Sequence, residues 1–495
     1  MEISPSKISL GTTFGILVSV IIGLWIIQTV NVAYFTPLRY VPGPWYAKFT
    51  HLVLKRNVLA GRRLHYIHKL HEKYGPVVRI APNEIDVSDL EGFREIHRIG
   101  SGFLKAPWYQ KFRSGPVQDV FSMINPKQHA IRRKLLARPF SNTALRENWE
   151  PLVLQKARLA ISNIKKEAQN GPVDVMKWWT LMTADIIGQV AFGEPFEMLE
   201  RGQKSKYIED LEWAAKVGGM RAEATFLYKA IKMLPLGIIN DVASTDDRVQ
   251  TYGQHLVNAS HRQQIGRTNI FTNLVAQNEK GDGSMTDFEV AFEAAGFIVA
   301  GSGTTAVTLT YLVWAVLSNP SVKDRLEQEV ATLRPDFNDV DLEGLPYLNA
   351  VISETLRLYG AAPGSLPRTV PKSGLRVGGF FIPEGTVACT QAYTIHRDPN
   401  IFPYPDRFDP NRFVSPTLLT PQQKLAFAPF GGGSRICLGM HLAWMELRHA
   451  IAHFFRECSD FRLAQSTTPA SMEIQHFFLI SPKSNQCEII SRKRT

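Results

Sequence analysis

The stretch of this chain best equipped for chemistry is Phe427-Ala428-Pro429-Phe430-Gly431-Gly432-Gly433-Ser434-Arg435-Ile436-Cys437-Leu438-Gly439-Met440. Three consecutive glycines let a loop turn tightly and bring its backbone close to a flat ligand. Cys437 follows at the edge of a helix expected over 438–456, where free amide N–H groups and the helix dipole favour a thiolate. Arg435, two residues upstream, suits an anionic group on the same ligand. No second Cys stands near Cys437, so the segment offers one sulfur to a cofactor in a backbone cradle. A phosphate-binding glycine loop would need Lys-Ser or Lys-Thr after the glycines, and neither follows. Cys389, Cys458 and Cys487 read as buried thiols, and a total of four widely spaced cysteines excludes a disulfide framework.

Three further clusters lie upstream in the order Ala300-Gly301-Ser302-Gly303-Thr304-Thr305, Glu354-x-x-Arg357 and Pro410-Asn411-Arg412-Phe413. With Phe430-x-x-Gly433-x-Arg435-x-Cys437-x-Gly439 they resemble, in order and separation, the signatures of the cytochrome P-450 family from about Pro42 to the C-terminus. The resemblance implies a mainly α fold with small β-sheets, forming a single large domain behind an N-terminal transmembrane helix. It also implies haem b (iron protoporphyrin IX), with Cys437 as axial thiolate and metal ligand, whose electron donation favours oxygen–oxygen cleavage. His129, Arg133, Arg368 and Arg435 would hold the haem propionates, with Ala300, Pro429, Phe430 and Gly439 as further cofactor contacts. Thr304 and Thr305 would be catalytic, and Glu354, Arg357 and Arg412 structural.

The implied reaction is monooxygenation of a bulky hydrophobic small molecule. Its electrons would come from NADPH through NADPH-cytochrome P-450 reductase, with cytochrome b5 as a second donor. The basic run His129-Ala130-Ile131-Arg132-Arg133-Lys134-Leu135-Leu136-Ala137-Arg138 fits a positive docking face for such a donor. Substrate contacts are expected from 106–121, Val299 and Ala300, 361–366, and Phe477 and Phe478. Segments around 300–314 and 364–368 resemble fungal members that tailor secondary metabolites, which implies a polyketide or terpenoid substrate. Gly303 stands where the family commonly has an acid, so proton supply must use Thr304, Thr305, water or a substrate hydroxyl. That departure keeps open an isomerase, dehydratase or peroxide-driven reading without oxygen insertion. More remotely, the chain could be a non-catalytic haem- or lipid-binding membrane protein. Gly301 and Gly303 are expected to leave room for a bulky or planar substrate.

These groups need elements to position them. Helical spacing and capping signals mark 64–74, 142–166, 174–192, 286–318, 320–333, 345–359 and 438–456, whereas strand signals mark only 77–80, 85–87, 379–382 and 386–390. Between Lys7 and Arg39 there are 31 uncharged residues, and the apolar run 8–30 is long enough to cross a bilayer. We read residues 1–35 as an uncleaved signal anchor and 36–495 as the catalytic domain. The flank of Lys48, Lys55, Arg56, Arg62 and Arg63 argues for a body on the cytosolic side, and the family resemblance implies a single-pass protein of the endoplasmic reticulum membrane. A second uncharged stretch, 294–321, is read as a buried core helix because the capping pattern Thr286-x-x-Glu289 precedes it and hydroxyls stud it. The net charge of +11, from 56 basic and 45 acidic residues, is spread without a basic-aromatic tract, so no nucleic-acid partner is expected. Asn258-Ala259-Ser260 matches a glycosylation triplet that a cytosolic face would leave unused.

Overall fold

A computed structural model describes residues 10–492 except 114, 116, 194–195, 226–227 and, within 230–284, all but 248, 251 and 254. The Asn258 triplet therefore lies outside the described residues. The two apolar stretches take opposite environments. The window in the Phe14–Tyr34 segment of the N-terminal helix is 6% buried against the rest of the chain, whereas that in the Asp287–Leu317 helix is 61% buried. The first is a candidate membrane span, and the second is the central helix of the body.

The central helix starts where the sequence says it should. Glu289 N–H donates to Thr286 Oγ1 at 3.2 Å and Thr286 N–H donates to the Glu289 carboxylate at 2.9 Å, a reciprocal cap. Its 31 residues extend about 46 Å. Helices Val175–Phe192, Pro346–Tyr359 and Met440–Glu457 pack along it. Gly301 serves this packing, because a Cβ there would meet Ile187 at 2.7 Å. The expectation that Gly301 makes room for substrate is thus corrected: the space is filled by the neighbouring helix. Gly303 is different, since a Cβ there would meet only Leu479, at 3.7 Å.

Strands are few and short. The largest sheet runs Val77–Ala81, Glu84–Val87, Val387–Cys389, Arg368–Thr369, Leu104–Lys105, with only the 84–87/387–389 pair parallel. It places Lys105 directly opposite Arg368. Near the C-terminus, Ile474–Phe477 and Leu479–Pro482 form a hairpin whose single tip residue, Phe478, has φ 84°, a strained value for an aromatic residue. The main buried cluster draws on residues from Leu64 to Ile489, so the body shares one core.

The expected helix over 142–166 is two helices, Asn142–Asn148 and Glu150–Ala168, broken at Trp149. Pro151 explains the break, because it has no N–H for the preceding turn and its ring would collide with it. Helices Leu52–Leu59, Leu90–His97, Trp108–Phe112 and Lys206–Glu223 were not expected.

Candidate active site

The glycine loop is closed on itself by backbone bonds before Cys437. Gly431 N–H donates to Ala428 O at 3.0 Å, Ile436 N–H to Gly433 O at 3.2 Å and Cys437 N–H to Phe430 O at 2.9 Å. Gly431 (φ 76°) and Gly433 (φ 62°) supply left-handed turns, and a Cβ on Gly433 would fall on the His97 carbonyl oxygen. The loop therefore seats against the Leu90–His97 helix, while Pro429 packs beside Gly360. The following helix begins at Met440 with Gly439 at its cap. Cys437 is exposed, whereas the other three cysteines are buried as expected. Protein atoms crowding around Cys437 push its thiol up, and the Gly439 N–H and Arg133 oppose that rise. No group of three or more His, Cys, Asp or Glu able to hold a metal occurs among the described residues, which leaves one accessible thiolate ligand.

Around this loop the fold gathers the expected propionate-binding side chains. His129 is buried on the Pro126–Ala137 helix, and its pKa is pushed down to about 3, first by burial and then by Arg435, Lys105, Arg133 and Arg368. Buried Arg368 has no partner at Nε. Arg435 is pinned by donating to Met123 O at 2.7 Å and Ile124 O at 3.1 Å, so part of its guanidinium is already committed. The sequence reading missed Lys105, which is buried, donates to Phe121 O at 2.5 Å and lies over the Tyr109 and Phe121 rings. Only its register opposite Arg368 could have signalled it. None of Lys105, Arg133, Arg368 and Arg435 has an ion-paired carboxylate among the described residues, and Asp119 is held by Arg113 at 2.8 Å. Such an uncompensated cationic cluster, beside a loop whose Gly433 admits no Cβ, fits a flat dianionic group such as haem b.

The basic run is only partly a surface. Arg132 is buried and bridges Glu289 (2.7 Å) and Glu293 (2.9 Å), and His129 faces inward. This corrects their assignment to a docking face, which is left to exposed Lys127, Lys134 and Arg138 with half-buried Arg133.

On the central helix, Ala300 is exposed and Thr304 half-buried. Thr304 donates to Ala300 O at 2.6 Å, as Ser302, Thr308 and Thr310 donate to the carbonyls four residues back. Thr305 is buried on the side where the Met440–Glu457 helix packs, and that helix carries buried Glu446, a residue the sequence reading did not single out.

The expected substrate segments converge in part. Trp108, Phe112 and Phe121 surround Phe478, with ring centroids 5.9, 4.8 and 5.7 Å away. Phe477 turns the other way, with its ring over Gly61, and is corrected out of this group. Beneath the loop, Arg357 forks onto Glu354 at 2.7 and 2.8 Å with both side chains fully buried, and Arg412 approaches the same carboxylate at 3.4 Å. These three are structural, as expected.

The sequence model of the Cytochrome P-450 family matches residues 41–489. Similar proteins include cytochrome P-450 monooxygenase stcB of Emericella nidulans, 42% identical over 471 residues, covering 93% of this chain and 90% of that one. Monooxygenase tazI of Aspergillus terreus is 43% identical over 465 residues, with 92% and 94% covered. A protein of Cladonia uncialis named methylphloroacetophenone oxidase is 33% identical over 397 residues, with 77% and 86% covered. These likenesses do not favour a reaction without oxygen insertion or a non-catalytic role. A cysteine loop, a cation cluster and a hydroxyl-bearing central helix, brought together in a chain that matches the family nearly end to end, make this protein a member of the cytochrome P-450 family of monooxygenases.

Proposed function

We propose that residues 36–495 form the cytosolic catalytic domain of an endoplasmic reticulum enzyme, anchored by one span within residues 1–35. Its substrate is a flat, hydrophobic aromatic or terpenoid molecule in fungal secondary metabolism. The observation that carries the proposal is the convergence of His129, Arg133, Arg368, Arg435 and Lys105 around the accessible Cys437 loop. When bound, haem b would supply oxygen activation at its iron. Cys437 would hold the iron, the cations would hold the propionates, and Ala300, Pro429, Phe430 and Gly439 would line the ring. Thr304 and Thr305 orient and pass protons. Trp108, Phe112, Phe121 and Phe478 exclude water and offer ring faces to a planar substrate. The name of the Cladonia relative denotes an aromatic ketone, which suits such a cluster. Exposed Lys127, Lys134 and Arg138 suit an acidic electron donor, NADPH-cytochrome P-450 reductase with cytochrome b5 as a second.

The test is conversion of a panel of fungal polyketides and terpenoids by microsomes containing the chain and the reductase. Product that requires both NADPH and oxygen is expected. Conversion that proceeds anaerobically would overturn the proposal.

A further inference from the structure

Four hydroxyls of the central helix donate to the carbonyl four residues before them: Ser302 to Ile298 O at 2.8 Å, Thr304 to Ala300 O at 2.6 Å, Thr308 to Thr304 O at 2.9 Å and Thr310 to Ala306 O at 2.8 Å. Each of those carbonyls thus takes a second hydrogen bond beyond the one it accepts in the helix ladder, a pattern that bends helices. Residues 298, 302, 306 and 310 lie along one stripe, because four residues make slightly more than one turn. In that stripe one link is missing. Ala306 has no hydroxyl to give to Ser302 O, although Ser302 and Thr310 serve the carbonyls on either side.

Thr183, on the neighbouring helix Val175–Phe192, supplies the missing donor. Its Oγ1 lies 2.7 Å from Ser302 O, against 2.9 Å from Trp179 O and 3.3 Å from Thr180 O in its own helix. Two oxygens settle at 2.7 Å only with a proton between them, so the single hydroxyl proton belongs to the bond across to Ser302. Both residues are buried, so water does not compete for it. One turn on from Thr183, Ile187 leaves no room for a Cβ at Gly301. The two helices are therefore fastened and close-packed at 301–302, within one turn of Thr304. Among the described residues, no other side chain from outside the central helix donates to a carbonyl between 298 and 306.

We infer that Thr183 is a positioning residue for the monooxygenase reaction: by holding Ser302 O from the neighbouring helix, it fixes where the central helix presents the Thr304 hydroxyl. Thr304 is tied to Ala300 O, so its hydroxyl moves with the backbone on both sides of Ser302. The inference rests on the monooxygenase reading and deepens it.

The test uses the full-length, haem-loaded protein. Thr183→Val keeps the shape and removes the donor, Thr183→Ser keeps the donor, and Ala306→Ser added to Thr183→Val returns a hydroxyl to Ser302 O from within the central helix. In the resting protein, amide hydrogen exchange across 298–308 should quicken about three- to tenfold in Thr183→Val, the worth of one buried hydrogen bond. In reductase-supported turnover the same variant should lose about three- to tenfold of product per NADPH consumed, with substrate KM unchanged. Thr183→Ser and the double variant should match wild type in both. Wild-type exchange or wild-type coupling in Thr183→Val overturns the inference, and so does a loss that Ala306→Ser leaves in place, which would report packing alone. If Thr183→Val does not load haem, Thr183→Ala beside Thr183→Ser carries the same comparison: a loss in the alanine variant alone supports the bond, and equal behaviour overturns it. Turnover of wild type without oxygen would instead count against the monooxygenase reading, while the exchange comparison still decides whether Thr183 holds the segment.

Discussion

Substituting the three loop glycines one at a time should separate backbone strain from steric clash at the cofactor cradle. Gly432 has φ −150°, which any residue adopts, and a Cβ there would meet only the His97 Cβ at 3.5 Å and Phe93 at 3.7 Å. Gly432→Ala should therefore change stability by no more than about 0.5 kcal/mol. Gly431 has φ 76° but open space, with Leu366 at 3.8 Å, so Gly431→Ala carries only the left-handed penalty of about 1–2 kcal/mol. Gly433 has φ 62° and a backbone carbonyl where its Cβ would be, and that carbonyl cannot swing away like a side chain. Adding overpacking of about 1–3 kcal/mol to the same penalty gives about 2–5 kcal/mol. At about 1.4 kcal/mol per tenfold, Gly433→Ala should weaken haem retention at least thirtyfold, followed as the rate of haem transfer to apomyoglobin. The ordering predicted is Gly433→Ala far worse than Gly431→Ala, with Gly432→Ala near wild type. Gly433→Ala retaining haem as well as Gly432→Ala would refute the claim that the loop seats on His97.

Three more outcomes follow from the buried charges. Glu354→Ala strands the fully buried Arg357, and should cost about 3–5 kcal/mol in urea titration, with Glu354→Gln less damaging because its amide oxygen still accepts one bond. Lys105→Met should speed haem loss about ten- to a hundredfold in the same transfer assay, as loss of a charge-assisted contact requires. Glu446, whose burial pushes its pKa up to about 8, should also mark the pH dependence of stability. Between its ordinary value of 4.5 and about 8 the folded chain holds a proton that the unfolded chain has lost, so stability falls as pH rises through that window. From pH 5 to pH 8, wild type should lose about 4 kcal/mol more than Glu446→Gln, and parallel urea midpoints for the two would contradict this.

What could be read from sequence was local. The Gly431–Cys437 loop, the Thr286 cap, the central helix and the Glu354–Arg357 pair are each specified by neighbours within a few residues, and each stands where expected. Partners distant in sequence were not legible. Lys105 joins the cationic cluster only because its strand pairs with Arg368, and Glu446 is buried only because its helix packs against the central one. Arg132 looked like its surface neighbours until the central helix brought Glu289 and Glu293 to it. Gly301 and Gly303, two residues apart, have opposite surroundings that no motif distinguishes. Phe477 and Phe478 parted because one strained residue turns the hairpin.

The central claim is that Cys437 is the thiolate that ligates haem iron. The carbon monoxide difference spectrum of the dithionite-reduced protein tests it most directly, run beside Cys437→Ser with haem content assayed separately. The account predicts a thiolate-type Soret band in wild type that disappears in Cys437→Ser while haem remains measurable. The same band in the serine variant, or none in fully haem-loaded wild type, would contradict it.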